Sequence, residues 1–170
     1  MFRGMSTKGG PAAGHKEIVR NRRATFEFHV ERRLEAGIEL LGTEVKSLRD
    51  GQVNLADSYA QPEKSQLYLL HCNIAPYKAA GPALNHAPMR PRRLLLNRRE
   101  LDDLAREVAE KGLTLVPLSL YWKEGRAKVE LGLCRGKTHG DKRQAIAERE
   151  TRREMDRAIR GAKKIRRGDD

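Results

Sequence analysis

The sequence has few of the features that mark enzymes, secreted domains or membrane proteins. Aromatic residues make up only 5% of its 170 residues, with a single Trp. No run approaches 18 consecutive apolar residues, so no helical membrane span is expected. The opening stretch MFRGMSTKGGPAAGHK has no apolar core of the kind a secretory signal carries. The two cysteines, Cys72 and Cys134, are far apart and fit neither a disulfide framework nor zinc spacing. Both sit in apolar runs, as reduced core residues of a cytoplasmic protein do. There is no GxGxxG or GxxxxGK[ST] phosphate cradle, no HExxH and no GxSxG elbow. The five histidines (His15, His29, His71, His86, His139) share no spacing. No catalytic group, metal or cofactor is therefore expected.

What the chain has is positive charge, and it is unevenly placed. Lys and Arg number 35 against 23 Asp and Glu, a net of +12. Residues 1–24 carry a net of +5 and residues 135–170 a net of +6, leaving the long middle nearly neutral. A solvated surface needs no particular sign. A one-signed excess at both ends points to a polyanion, with nucleic acid ahead of an anionic membrane.

The pattern divides the chain into a basic N-terminal arm without order (1–20), a β-rich body (21–134) and a basic tail (135–170). In the body, Phe26, Phe28 and Val30 alternate with polar residues across Thr25–Glu31, the period of a half-buried strand. A second extended run covers Leu34–Leu41, where Gly37 suggests a bulge. TEVKSLRD predicts a two-turn helix with Thr43 as N-cap and Gly51 as its stop. Strands are expected around Asp57–Gln61 and Gln66–Cys72, with a turn at Pro62–Ser65. A proline-rich loop follows over 73–93. Leu101, Leu104, Ala105, Val108 and Ala109 form one helical stripe after a capping-box-like start at Asn97 and Glu100. Two long strands, Leu113–Lys123 and Arg126–Cys134, meet at Glu124–Gly125. The whole predicts a mainly β protein with short helices, an antiparallel barrel like that of oligonucleotide-binding (OB) folds. Residues 136–140 read as a flexible neck. Residues 141–167 favour helix but have too few apolar groups to dock as a core element, so the tail should be disordered alone and helical on a charged surface.

Arg90, Arg92, Arg93, Arg98 and Arg99 surround Leu94–Leu96. Guanidinium groups suit phosphate. In a strand, three successive leucines cannot all face inward, so one is free to lie under an unpaired base.

Five blocks occur in order: LEAGIELLGTEVKSLRDG (Leu34–Gly51), NLADSYA (Asn54–Ala60), RPRRLLLNRRELDDL (Arg90–Leu104), LVPLSLYWKEGRAKVELGLCRGK (Leu115–Lys137) and DKR (Asp141–Arg143). Together they resemble the SsrA-binding protein family, also called small protein B (SmpB), over roughly Asn21 to Arg160. The resemblance implies an OB-like barrel that grips the tRNA-like domain of transfer-messenger RNA during trans-translation. It also implies a tail that enters the empty decoding centre and mRNA path of a stalled ribosome and folds there as a helix. The elongation factor Tu complex would be a further partner. By the same resemblance, the barrel's RNA contacts fall on Glu35, Leu95 and Lys128, with Asn21, Arg23 and Arg49 in support; Arg92 and Arg93 of the arginine cluster are expected to join them. An ion pair orienting a neighbouring Arg is the alternative role for Glu35. The ribosome-engaging positions fall on Gly136, Lys137, His139, Asp141, Lys142 and Arg143. Some members carry His immediately before DKR; here that position is Gly140, and His139 precedes it. A ribosomal or ribosome-assembly protein, or an RNA-modifying enzyme, would share the barrel and the basic ends.

Overall fold

A computed structural model of the chain describes residues 15–165. Strand β1 (His15–Arg20) leads through helix α1 (Arg22–Glu27) into the long β2 (Phe28–Ile38). Helix α2 (Gly42–Arg49), β3 (Val53–Asn54), the hairpin β4 (Tyr59–Glu63) and β5 (Gln66–Leu70), and β6 (Asn73–Ile74) follow. A 3-10 turn (Pro82–Leu84) precedes β7 (Arg92–Leu95), α3 (Arg98–Lys111), β8 (Thr114–Lys123), β9 (Arg126–Gly136) and α4 (His139–Ile165).

Every strand pairing is antiparallel. The order β8-β4-β5-β7-β2-β9 returns to β8 through the β8–β9 hairpin, so six strands close into the expected barrel. β8 carries two neighbours along one edge. β4 meets it at Leu115, while β1 runs beside residues 119–123. The N-terminal arm is thus ordered from His15 onward, where disorder was expected to residue 20. Ile18 and Val19 pack against the core, which gives the segment enough apolar burial to offset its ordering. The rest of the arm lies outside the described residues.

Alternation on β9 puts Val129, Leu131 and Leu133 inside, each at most 1% exposed. Leu115 and Leu120 from β8, Leu67 and Leu69 from β5, and Leu101 and Leu104 from α3 complete this interior. Each fully buried side chain of this size contributes roughly 1.5–3 kcal/mol. A second, smaller cluster lies outside the barrel wall, where Ala24 of α1 covers Val116, Leu118 and Cys134. Burial pushes the thiols of Cys72 and Cys134 up to about 11, in keeping with inert core residues.

Several local expectations change. Thr25–Glu31 is not one strand: α1 runs to Glu27 and β2 starts at Phe28. Asn21 makes the difference, because its carboxamide oxygen accepts from the Ala24 N–H and so starts a helix. The second extended run is the same strand, β2. Its irregularity falls between Val30 and Arg32, while Gly37 keeps regular register. The turn after β4 is Lys64–Ser65, both at positive φ (45° and 64°), with Pro62 inside the strand. Glu124 (50°) and Gly125 (73°) make the same kind of turn between β8 and β9, the twist-matched hairpin form. α2 is capped at Leu41 rather than Thr43: the Glu44 carboxylate accepts from the Leu41 N–H at 2.8 Å. Asn97 occupies the N-cap of α3 without a side-chain bond, and Gly112 ends that helix in the left-handed region.

The 73–93 segment is held from within. Arg92 is 0% exposed. It donates to Glu44 Oε1 (2.8 Å) and to the carbonyls of Cys72 (2.6 Å), Pro88 (2.9 Å) and Arg90 (3.2 Å). Arg90 reaches Glu44 as well, at 2.6 and 2.8 Å. Burial alone would raise the pKa of Glu44. The Arg90 bonds, the Leu41 N–H and the Arg92 charge outweigh it and hold the carboxyl below its usual range.

Candidate nucleic-acid interface

Four adjacent strands place four residues in one line across the outer wall. Tyr121 on β8 is opposite Lys128 on β9, Lys128 is opposite Gly37 on β2, and Gly37 is opposite Leu95 on β7. Cross-strand partners share a face of the sheet. Leu94 points into the core at 4% exposure, and Leu95 points out at 49%, as the argument from three successive leucines required. Gly37 gives Leu95 room: a Cβ there would lie 3.2 Å from the Leu95 Cβ. Beside this line runs an open groove lined by Ile38, Leu40, Leu95, Trp122 and Lys128.

Glu35, two residues before Gly37, anchors the charged end of the line. Tyr121 Oη donates to its Oε2 at 2.6 Å, and Lys123 Nζ bonds both oxygens at 3.0 and 3.1 Å. Lys128 Nζ stands 3.8 Å from Oε1. The Tyr121 bond, helped by Lys123 and Lys128 and opposed by burial, holds Glu35 below the ordinary carboxylate range. Burial, with the Glu35 bond second, pushes the Tyr121 phenol up. Glu35 is therefore an ionised strut between two ammonium groups. Its ion-pair partners are lysines, not the Arg considered from the sequence. The cluster brings an exposed apolar side chain and two lysines to one wall, which suits an unpaired base flanked by phosphate.

The structure thus groups Glu35, Leu95 and Lys128. Tyr121 and Lys123 were missed: they have the spacing of one strand face, but their nearness to Glu35 depends on β2 pairing with the far side of β9. Arg93, next to Leu95, is exposed and pairs with Glu39 at 2.8 Å. Arg49 is exposed in the last turn of α2. Arg23 is exposed on α1 and bound to Glu27 (2.7 Å) and Asp57 (3.0 Å).

Two expected contact residues are corrected. Arg92 cannot meet a ligand at the surface, because its guanidinium is spent inside on Glu44 and three carbonyls. Asn21 is 4% exposed. Besides capping α1, its amide donates to the Leu55 and Pro117 carbonyls at 2.9 and 3.1 Å, so it fastens α1 to the barrel.

The 136–140 neck is bonded, not free. Gly136 ends β9 opposite Phe28. Lys137 N–H donates to the Glu27 carbonyl (2.9 Å), and its Nζ to that of Thr25 (3.1 Å). Gly140, Asp141 and Arg143 are exposed in α4, and the backbones of His139 and Lys142 belong to the same helix. The tail that follows is helical in this structure, as α4.

Among the described residues, no group of three or more His, Cys, Asp or Glu could hold a metal, and no helix is long and apolar enough to cross a membrane.

Three comparisons bear on this interface. The profile of the SmpB protein family matches residues 18–161. An SsrA-binding protein of Myxococcus xanthus is 53% identical over 161 residues, which cover 94% of this chain and 99% of that protein. An SsrA-binding protein of Thermobifida fusca is 52% identical over 147 residues, 86% of this chain and 91% of that protein. A solved chain described under "tmRNA-SmpB: a journey to the center of the bacterial ribosome" superposes with a TM-score of 0.61 at 48% identity, covering 75% of this chain and 93% of its own.

Proposed function

The chain belongs to the SmpB protein family, and on that premise we propose that it binds transfer-messenger RNA (SsrA) and brings it to stalled ribosomes in trans-translation. The observation that carries the reading is the outer wall at Glu35, Leu95 and Lys128. There, two lysines and an exposed leucine meet on regular β-structure rather than on a loop. A barrel wall of this kind suits the looped parts of a tRNA-like domain, where bases are unpaired. The relatives' name, SsrA-binding protein, fits the same ligand. The protein acts as an adaptor without chemistry of its own, in the cytoplasm where ribosomes are. The elongation factor Tu complex carrying charged transfer-messenger RNA is its companion in delivery.

The C-terminal helix takes the second task. With Gly136, Lys137, His139, Asp141, Lys142 and Arg143 at its base, α4 occupies the decoding centre and mRNA path left empty by a truncated message. In support, Arg143, Arg152, Arg153 and Arg157 are exposed on α4, and so are its described apolar side chains Ile146, Met155 and Ile159.

A gel-shift titration against the tRNA-like RNA tests the first task. Lys128→Ala should weaken binding and lower the salt slope by about one unit, as one lost phosphate contact does. Equal affinity for unrelated ribosomal RNA would favour a ribosomal or assembly role instead. Removing residues after Lys137 should leave RNA binding intact and abolish peptide tagging; tagging that survives would refute the tail's part.

A further inference from the structure

The junction between barrel and tail holds a feature that neither RNA binding nor ribosome entry has used. Thr138 immediately precedes α4, and Asp141 is the third residue of that helix. The Asp141 carboxylate Oδ2 accepts the Thr138 N–H at 3.0 Å and the Thr138 hydroxyl at 2.8 Å. The Asp141 N–H returns to Thr138 Oγ1 at 3.4 Å. This is a reciprocal capping box, which satisfies two of the amides that a helix start leaves without partners. One residue earlier, Lys137 bonds the Thr25 and Glu27 carbonyls at the C-terminal end of α1 through Nζ and N–H. Gly136, before that, is still paired with Phe28. Three consecutive residues therefore pass without slack from barrel strand, to the end of one helix, to the capped start of the next. α1 is in turn fixed to the barrel by Asn21.

We propose that Lys137, Thr138 and Asp141 are positioning residues that set where α4 begins and in which direction it leaves the barrel. On this view Asp141 acts inside the protein, aiming the cationic side chains that follow it, rather than by touching ribosomal RNA. The Asp141 Oδ2 is already taken by the Thr138 N–H and hydroxyl. As a helix cap it is both paired and placed at the favourable end of the helix dipole. The proposal rests on the tail's part in rescue argued above.

The test uses the full-length chain with transfer-messenger RNA and stalled ribosomes. Thr138→Ala, Asp141→Ala and the double variant are compared in RNA binding, peptide tagging and amide hydrogen exchange at positions 138 and 141. RNA binding should stay at the parent level. Each single variant should speed exchange and reduce tagging roughly fivefold, the size expected when an N-cap is lost. The double variant should be no worse than the more damaging single one, because both remove the same link. Thr138→Ser keeps the hydroxyl and should restore both readouts. If Asp141→Ala abolished tagging while Thr138→Ala left it unchanged, Asp141 would act directly on the ribosome and the proposal would fall. Unprotected amides at 138 and 141 in the parent chain would also overturn it, whatever the tagging result. A parent chain that bound no transfer-messenger RNA would instead defeat the functional reading, leaving the exchange data to decide the joint.

Discussion

Gly37 and Leu95 face each other across β2 and β7 with 3.2 Å between the Leu95 Cβ and the point where a Gly37 Cβ would sit. The glycine is there for its neighbour's sake. Gly37→Ala should push Leu95 by a few tenths of an ångström and weaken binding of the tRNA-like RNA several-fold. Stability should change by less than about 1 kcal/mol, because φ is not left-handed and an alanine restricts the unfolded chain. Titration by gel shift, with thermal melting alongside, checks both halves.

Glu35→Gln retains a group able to accept from Tyr121 but removes the charge that restrains Lys123 and Lys128. Free ammonium groups bind any phosphate backbone, so the variant should hold unrelated RNA more tightly and with a steeper salt dependence. The ratio of cognate to non-cognate affinity should fall. Competition titrations at two salt concentrations measure that ratio.

Arg92→Met leaves the Glu44 carboxylate buried with one partner fewer, and three carbonyls lose their donor. Breaking a buried pair on one side costs about 3–5 kcal/mol. Urea unfolding should register a loss of that order. Adding Glu44→Gln should cost less than the sum of the two single changes. RNA affinity of the folded fraction should be unchanged, which separates an internal role from the surface contact suggested by sequence.

Acid should act through carboxylates whose folded-state pKa lies below the unfolded value. Glu44, Glu35 and Asp141 all move in this direction. Their contribution is complete above the unfolded values near about 4 and is lost as pH falls through the lower folded-state values. Stability should therefore be flat between pH 7 and 5 as far as these groups are concerned, and decline below about pH 4. Glu44→Gln should flatten part of that decline. Urea midpoints across the pH series give the comparison.

Features whose causes are local were legible in the sequence. The α3 stripe needs only helical spacing. The Glu124–Gly125 hairpin needs only turn chemistry. Leu95 was found exposed because strand alternation leaves no other place for it. What escaped depends on partners distant in sequence. Arg92 looked like a surface cation until Glu44, 48 residues earlier, supplied its counter-charge. Asn21 looked like an RNA contact, but it is held by the Leu55 and Pro117 carbonyls. The same tertiary bonds support a six-residue helix where alternation alone suggested strand. His15–Arg20 is too polar to announce a strand without the waiting edge of β8. Tyr121 and Lys123 joined the candidate site only once β8 and β2 were placed around β9.

The edge of β8 carries a further consequence. β1 occupies the backbone groups of residues 119–123 on the side that β4 reaches only at Leu115. Proteolytic cleavage after Arg20 would release that cover and bare a run of unpaired amides and carbonyls on a fully folded barrel. Such an edge is a template for strand addition. A nicked molecule that lost β1 would be prone to recruit the corresponding segment of another copy.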